Sequence, residues 1–300
     1  GKDKDAVPIN DFRKECRDFA DKWIGIQKSE FQRLGVTGDW KNRYVTMDYS
    51  SEAKIAEEIF KFLMNGGLYR GSKPVMWSVV EKTALAEAEV EYHDQKTETL
   101  IARFPVLSSS QKFNDVNILI WTTTPWTIPG NRAIAYNEKI QYSILRIDKK
   151  ADDSKAIIGE KVIIASDSIE RLKDEAKIIE LTALDSFLGE KLMDTICAHP
   201  LKEQGYDYKV PLLPAEFVNT EQGTGFVHIA PQHGSDDYEL GQKYNLESYP
   251  ILNFESRYLD SVPIFSGEYV LNSNGKPGKA NQLVINSIDQ EGCLFSSSKY

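Results

Sequence analysis

Residues 116–131 read Val-Asn-Ile-Leu-Ile-Trp-Thr-Thr-Thr-Pro-Trp-Thr-Ile-Pro-Gly-Asn. The apolar run 116–120 is short and partly β-branched, which suits a buried strand better than a helix. Pro125 ends it, because proline has no N–H to give to a ladder. Three successive hydroxyls at a strand end, followed by a turn stiffened by two prolines, place a compact set of donors and acceptors at a sheet edge. Side chains alternate along a strand, so Thr122 and Thr124 face one way and Thr123 the other. Threonine also favours strands for purely steric reasons, so the run alone names no reaction.

The surroundings share this texture. From residue 74 onward, β-rich runs at 75–80, 88–92, 99–106, 116–124, 141–147 and 161–165 are separated by turn residues. Their irregular spacing predicts a barrel or a mixed α+β body and not alternating βαβ units. Helices are predicted over 166–175, 235–245 and 279–291, the last with Ala280, Val284 and Ile288 at four-residue steps and Gly292 as its stop. Upstream, Phe12, Cys16, Phe19, Trp23 and Ile26 form one helical stripe behind Pro8 and Asn10, with Gly38 closing the segment. A second helix over 51–65 carries Ile55, Ile59, Phe62 and Leu63 and stops at Gly66-Gly67. The expected fold class is α+β: a β-barrel-like body with peripheral helices over residues 93–300, preceded by a helical segment over 1–92.

A second stretch, residues 223–238, reads Gly-Thr-Gly-Phe-Val-His-Ile-Ala-Pro-Gln-His-Gly-Ser-Asp-Asp-Tyr. Its first two glycines permit a tight turn of close approach. Residues 226–229 read as a short strand with His228 opposite Val227 and Ile229. Ser235 is a good N-cap, which places Asp236 and Asp237 in the first helical turn. The helical repeat puts Asp237 on a face with Leu240, Gly241 and Tyr244, toward the protein body, and Asp236 with Glu239 and Lys243, toward water. On these residues alone, Asp237 could simply complement the helix dipole, and His228 could be a structural imidazole. His228 and His233 are five apart with Pro231 between, unlike a zinc-binding pair on one helical face. No Gly-x-Ser-x-Gly elbow is present, so neither a catalytic metal nor a serine hydrolase is expected.

The composition excludes whole classes. With 41% hydrophobic and 27% charged residues the chain reads as an ordinary globular sequence. The longest apolar runs are far too short to cross a bilayer, and Gly1-Lys2-Asp3-Lys4-Asp5 leads straight into an amphipathic pattern and not into a signal peptide. Cys16, Cys197 and Cys293 are odd in number and far apart, which argues against a disulfide framework or cysteine zinc site and fits a reducing cytoplasm. The net charge of −9 opposes any broad grip on nucleic acid, since basic side chains supply most of such affinity.

Taken together, Thr-Thr-Thr-Pro-Trp-Thr at 122–127 and Gly-Thr-Gly-x-Val-His-x-Ala-Pro-x-His-Gly-x-x-Asp-Tyr at 223–238 resemble the two signature blocks of the bacterial-type isoleucyl-tRNA synthetase editing domain, within the class I aminoacyl-tRNA synthetases. Leucyl and valyl relatives typically have Arg-Pro and then an acidic residue where this chain has Thr124-Pro125-Trp126. The resemblance continues through 34–40, 46–48 and 84–92, and so covers nearly the whole chain. One departure stands out: Ser78 and Glu81 occupy places where many bacterial members carry a Cys-x-x-Cys pair, so no zinc is implied there. The adenylate-forming signatures His-Ile-Gly-His and Lys-Met-Ser-Lys-Ser are also missing.

The resemblance implies an editing domain that hydrolyses valine wrongly esterified to the isoleucine tRNA, with valyl-adenylate as a second candidate substrate. Residues 1–92 would link it to a catalytic Rossmann domain absent from this sequence. Carried over residue by residue, Asp237 binds the α-ammonium, Thr122, Thr123, Thr124 and Thr127 hold the ester and the water, and His228 limits substrate size. Trp126 packs near the adenosine, and His233 and Gly225 complete the substrate-binding set. No protein nucleophile and no cofactor are implied; ATP and magnesium belong to the catalytic domain. The implied partners are the acceptor end of the tRNA and the rest of the synthetase, in a cytoplasmic monomer without membrane contact. Two alternatives stay open: a non-hydrolytic tRNA-end binding module, and an editing domain of valyl or leucyl type.

Overall fold

The N-terminal stripe forms a helix, α1 (Ile9–Arg33), with Pro8 at its N-cap. Its stop is Gly35 at φ +79°, where the N–H of Val36 reaches back to the carbonyl of Phe31, so the helix closes before the expected Gly38. The second helix, α2 (Tyr49–Met64), ends with Gly66, also left-handed. Arg17 joins the two by pairing with Glu52, donating to the Met47 carbonyl and lying over the Tyr49 ring. Neither helix buries a residue: Phe19 is 66% exposed and Phe62 61%. The computed structural model describes residues 6–299 apart from 73, 95, 112 and 114; the opening pentapeptide lies outside the described residues. The chain divides into two units, Gly1–Ser72 and Lys73–Tyr300, a boundary ahead of the composition shift at 92/93.

The second unit starts with a small antiparallel hairpin, β1 (Trp77–Ser78) and β2 (Thr83–Ala84). The strand expected over 88–92 is absent. A 3-10 turn, Glu87–Glu89, stands there, because the Glu89 carboxylate folds back to accept the Ala86 N–H at 2.8 Å and closes the turn. The body is one mixed sheet of β3 (Glu98–Ser108), β4 (Val116–Thr122), β5 (Ala133–Tyr136), β6 (Gln141–Lys150), β7 (Lys161–Ala165), β8 (Ile178–Leu188), β9 (Ile196–Ala198), β10 (Lys209–Pro214), β11 (Val227–Ile229) and β12 (Leu294–Lys299). Their order is β11-β5-β10-β9-β3-β4-β7-β6-β8, with β12 added on β3. The β4–β7 and β5–β10 pairs are parallel and the rest antiparallel. The sheet curls until β11 lies against β4, which gives the barrel-like body and brings the two quoted stretches together.

β4 is buried on both faces, which explains the apolar run at 118–121. Ile118 and Ile120 enter one core with Leu100, Phe104, Ile134 and Phe226, while Leu119 enters a second with Ile101, Val162, Ile164 and Phe295. Helix α3 (Ile169–Ala176) covers the second core through Leu172 and Ala176. Helix α4 (Ser235–Lys243) carries the acidic pair. Helix α5 (Ala280–Gln290) lays Ala280, Val284, Ile285 and Ile288 into the first core and packs on the 3-10 turn Pro125–Gly130. Among the described residues no helix is long and apolar enough to cross a membrane.

Candidate active site

The chain leaves β4 at Thr122 and turns at Pro125, so the three threonines sit on the rim of the sheet. As strand alternation requires, Thr122 and Thr124 share a side, with their hydroxyls 3.2 Å apart. Thr123 faces away, and its carbonyl accepts from the Thr97 hydroxyl at 3.0 Å. The row continues through Thr127, whose Oγ1 lies 3.3 Å from that of Thr124 and 2.8 Å from His228 Nε2.

Donor counting fixes the proton positions. The single Thr127 hydroxyl proton goes to the Thr124 carbonyl at 2.8 Å, so Thr127 Oγ1 accepts from His228 Nε2–H. The other ring nitrogen, Nδ1, therefore accepts from Asn131 Nδ2 at 3.3 Å, and that amide also donates to the Ala133 carbonyl at 2.9 Å. Burial pushes the His228 pKa down to about 4, with His233 adding to the effect, so the ring stays neutral near pH 7. With both nitrogens engaged and the residue 7% exposed, His228 has no free base to offer. Only its carbon edge remains to face a substrate. The register of β11 against β5 is unbroken, so Val227 and Ile229 lie on the side opposite His228, although only Ile229 is buried and Val227 is exposed.

The second half of the site follows from the loop after β11. Its helix begins one residue earlier than a Ser235 cap would require: Gly234 is the N-cap, and no side chain caps the helix. The two aspartates separate as the helical repeat predicts, with Asp236 exposed and Asp237 half-buried beside Leu240 and Gly241. Asp237 Oδ1 accepts the Ala230 N–H at 2.6 Å. Burial outweighs that bond and raises the carboxyl pKa to about 6. Gly234 makes the arrangement possible, since a Cβ there would stand 2.3 Å from Asp237 Oδ2.

The two halves meet through aromatic contacts. Trp126 packs edge-to-face on His233 at 4.9 Å, and both line a cavity of about 570 Å³ with Trp77, Phe254, Gly234 and Ser235. His233 is neutral, its pKa lowered to about 4 by burial. Gly225 is placed differently from the rest of the expected set. It sits at φ +77° with its missing Cβ only 2.3 Å from Ala165 Cβ, and its carbonyl accepts from the Tyr142 hydroxyl at 2.8 Å. Its neighbourhood is the packing of β7 and β11.

Two supporting residues escaped the sequence reading. Asn131, which ends the first quoted stretch, orients His228, and its position in that stretch was the available signal. His199 is fully buried, its pKa depressed to about 3 by desolvation, and it holds the Ile128 carbonyl through Nε2 at 3.0 Å. It braces the proline turn from beneath, and no local pattern announces it. Among the described residues no group of three or more His, Cys, Asp or Glu side chains is placed to hold a metal.

A curled mixed sheet that joins these two blocks is found here in the setting of the class I synthetases. Residues 1–270 match the family of class I tRNA synthetases (I, L, M and V), and the chain belongs to that family. Within it, the chain is similar to isoleucine–tRNA ligases. It is 45% identical to that of Pelagibacter ubique (strain HTCC1062) over 299 residues, 99% of this chain and 32% of the relative. It is 49% identical to that of Gluconobacter oxydans (strain 621H) over 273 residues, 90% of this chain and 28% of the relative. The chain thus spans about a third of the length of the curated relatives it matches. Among solved structures, the P. knowlesi cytosolic leucyl-tRNA synthetase editing domain aligns with a TM-score of 0.48 and 13% identity, over 69% of this chain and 98% of that one.

Proposed function

We propose that this chain is the editing module of an isoleucyl-type synthetase and hydrolyses valine esterified to the isoleucine tRNA. The observation that carries the reading is the junction of the two blocks. The Thr127–His228 bond fixes a row of hydroxyls, and the adjoining loop holds a half-buried carboxylate, Asp237, paired with no described cation. An α-ammonium supplies the missing charge, and the aminoacyl ester attached to it then lies near the threonine row. Water adds to the ester carbonyl carbon, the bond to the ribose oxygen breaks, that oxygen takes the proton, and valine leaves. Positioning, and not a protein nucleophile, provides the acceleration. Selection needs a wall, because one methylene is worth only about 1–3 kcal/mol of attraction, a limit for which isoleucyl-tRNA synthetases are the standard illustration. Exclusion by contact discriminates better, and the carbon edge of His228 is the candidate wall. Mixing the chain with valyl-tRNA and isoleucyl-tRNA and following amino-acid release tests this. Release of valine well above the spontaneous rate, with isoleucine retained, is expected; equal, uncatalysed release of both would end the proposal.

A further inference from the structure

A second cavity, about 460 Å³, is lined by Arg132, Tyr208, Tyr249, Ser261 and proline rings from residues 129, 250 and 263. Arg132 is half-buried within this lining. Its Nη1 donates to the Asn131 carbonyl at 2.6 Å and the Tyr208 hydroxyl at 2.8 Å, and the guanidinium lies 4.7 Å from the Tyr208 ring centre. No described residue bonds its Nε or Nη2, and no carboxylate lines the cavity. In a chain of net charge −9, a partly buried cation without a carboxylate is costly unless something else compensates it. Here a carbonyl, a phenol and a ring face compensate part of the charge, and one edge of the fork is left for an anion. Tyr249, 58% exposed, presents an open aromatic face to the same cavity.

We propose that this cavity binds one nucleotide of a single-stranded RNA, the phosphate on the free edge of Arg132 and the base against Tyr249. The planar guanidinium matches two phosphate oxygens better than a single point charge would, and base stacking on an aromatic ring requires no particular sequence. The volume suits a ligand of nucleotide size. The cavity is also wired to the site already described. Asn131 accepts at its carbonyl from both Arg132 and the Tyr208 hydroxyl (2.7 Å), while its side chain orients His228. An RNA strand seated on Arg132 is thus held one residue away from the side chain that orients the imidazole. This deepens the function proposed above and rests on it for which RNA is meant, but binding here needs no hydrolysis. It also reconciles an acidic chain with an RNA substrate, because the grip is local.

Fluorescence anisotropy of an uncharged RNA hexamer with the 300-residue chain, over a salt series, tests the inference. Arg132→Gln is expected to weaken binding about tenfold and to lower the salt slope by about 0.7, the share of one phosphate contact on a single strand. Arg132 also bonds its own fold, so two exposed positions carry the decisive variants. Ser261→Asp places a negative charge in the cavity and is expected to weaken binding at least as much as Arg132→Gln. Tyr249→Ala is expected to cost about tenfold, the scale of one stacked base, with the slope unchanged. Unaltered affinity in both exposed variants, or no hexamer binding at all, overturns the proposal. Inorganic phosphate displacing the hexamer as well as cytidine monophosphate does would reduce the cavity to an anion site and overturn the nucleotide assignment. RNA binding through Arg132 without valyl-tRNA deacylation would sink the editing reading and leave this one standing.

Discussion

The two halves of the site are built on opposite principles. In the hydroxyl–imidazole half, Thr122, Thr124, Thr127, His228 and Asn131 bond to one another in a chain, with the proton directions set at Thr127, His228 and Asn131. In the carboxylate half, Asp237 is held only by backbone N–H groups, that of Ala230 and its own, has no cationic partner among the described residues, and is driven toward its neutral form by burial. The first half is bonded within itself apart from Asn131 Oδ1, a buried acceptor to which no described residue donates. The second is held in an environment that disfavours its own charge, and an incoming cation would correct that. A fixed wall and an unsatisfied anchor are what a site needs if it is to measure the size of a substrate gripped by its ammonium.

The largest effect should come from the anchor. Asp237→Ala is expected to lower valyl-tRNA deacylation on the order of 100-fold, the scale of a charge-assisted bond worth about 3 kcal/mol. Asp236→Ala, one residue away on the exposed face, should change it less than about twofold, as surface substitutions usually do. Titration with a non-hydrolysable valyl-adenosine analogue separates binding from chemistry, and equal losses for the two variants would erase the distinction between the helical faces. The wall comes next. His228→Ala removes a buried ring and its bond to Thr127, so stability should fall by about 2–4 kcal/mol. If the carbon edge of the ring sets the size limit, the ratio of isoleucyl- to valyl-tRNA deacylation should also rise by about tenfold or more, since exclusion of one methylene is lost. A purely structural ring lowers both rates and leaves their ratio unchanged.

The same contrast governs what the sequence could reveal. The strand end at Thr122, the strand at 161–165 and the helices near 166, 235 and 280 were legible because hydrophobic period and turn residues coincide there. The inward turn of Asp237 was legible because it depends only on the helical repeat. Strand β8 was not, since most of its residues are exposed and its register against β6 is broken by bulges. Strands β9 and β12 are short or edge-like, and β9, β10 and β12 take part of their pairing from β3 or β5, distant in sequence. The bond that joins the two quoted stretches, Thr127 to His228, spans 101 residues, so no local pattern could show it. Gly225, which motif position alone puts in the substrate set, packs against Ala165 and also lines a small cavity beside Trp121 and Phe226.

A subtler way to probe the anchor leaves the carboxylate in place and moves it. Gly234 permits the approach of Asp237 Oδ2, and a methyl group at 2.3 Å must push that oxygen away. Gly234→Ala is therefore expected to reduce deacylation about tenfold, between the two aspartate variants, since small misplacements of positioning groups are costly. The residue's φ of −165° is open to alanine, so thermal stability should change little. Full activity in this variant would show that the close approach is incidental.

The smallest effect is thermodynamic and carries its own sign. Asp237 has a folded-state pKa of about 6 against an ordinary value of 3.8. Below about pH 4 the group is protonated whether the chain is folded or not, and its burial costs nothing extra. As pH rises through the interval from about 4 to 6, the unfolded chain releases the proton and the folded chain retains it, so stability falls; above about 6 the loss is complete. The carboxamide of an Asp237→Asn variant would stay neutral throughout and could still accept the Ala230 N–H through its oxygen. The melting temperature of the variant relative to the parent should therefore climb between about pH 4 and pH 6 and then level off, while deacylation is lost. A ligand bearing an ammonium group should reverse the trend for the parent only, because it favours the charged carboxylate, and its affinity should rise over the same interval. A melting-temperature difference that stays flat across that interval would mean that Asp237 is already satisfied in the free protein, and the contrast between a completed wall and an open anchor would collapse.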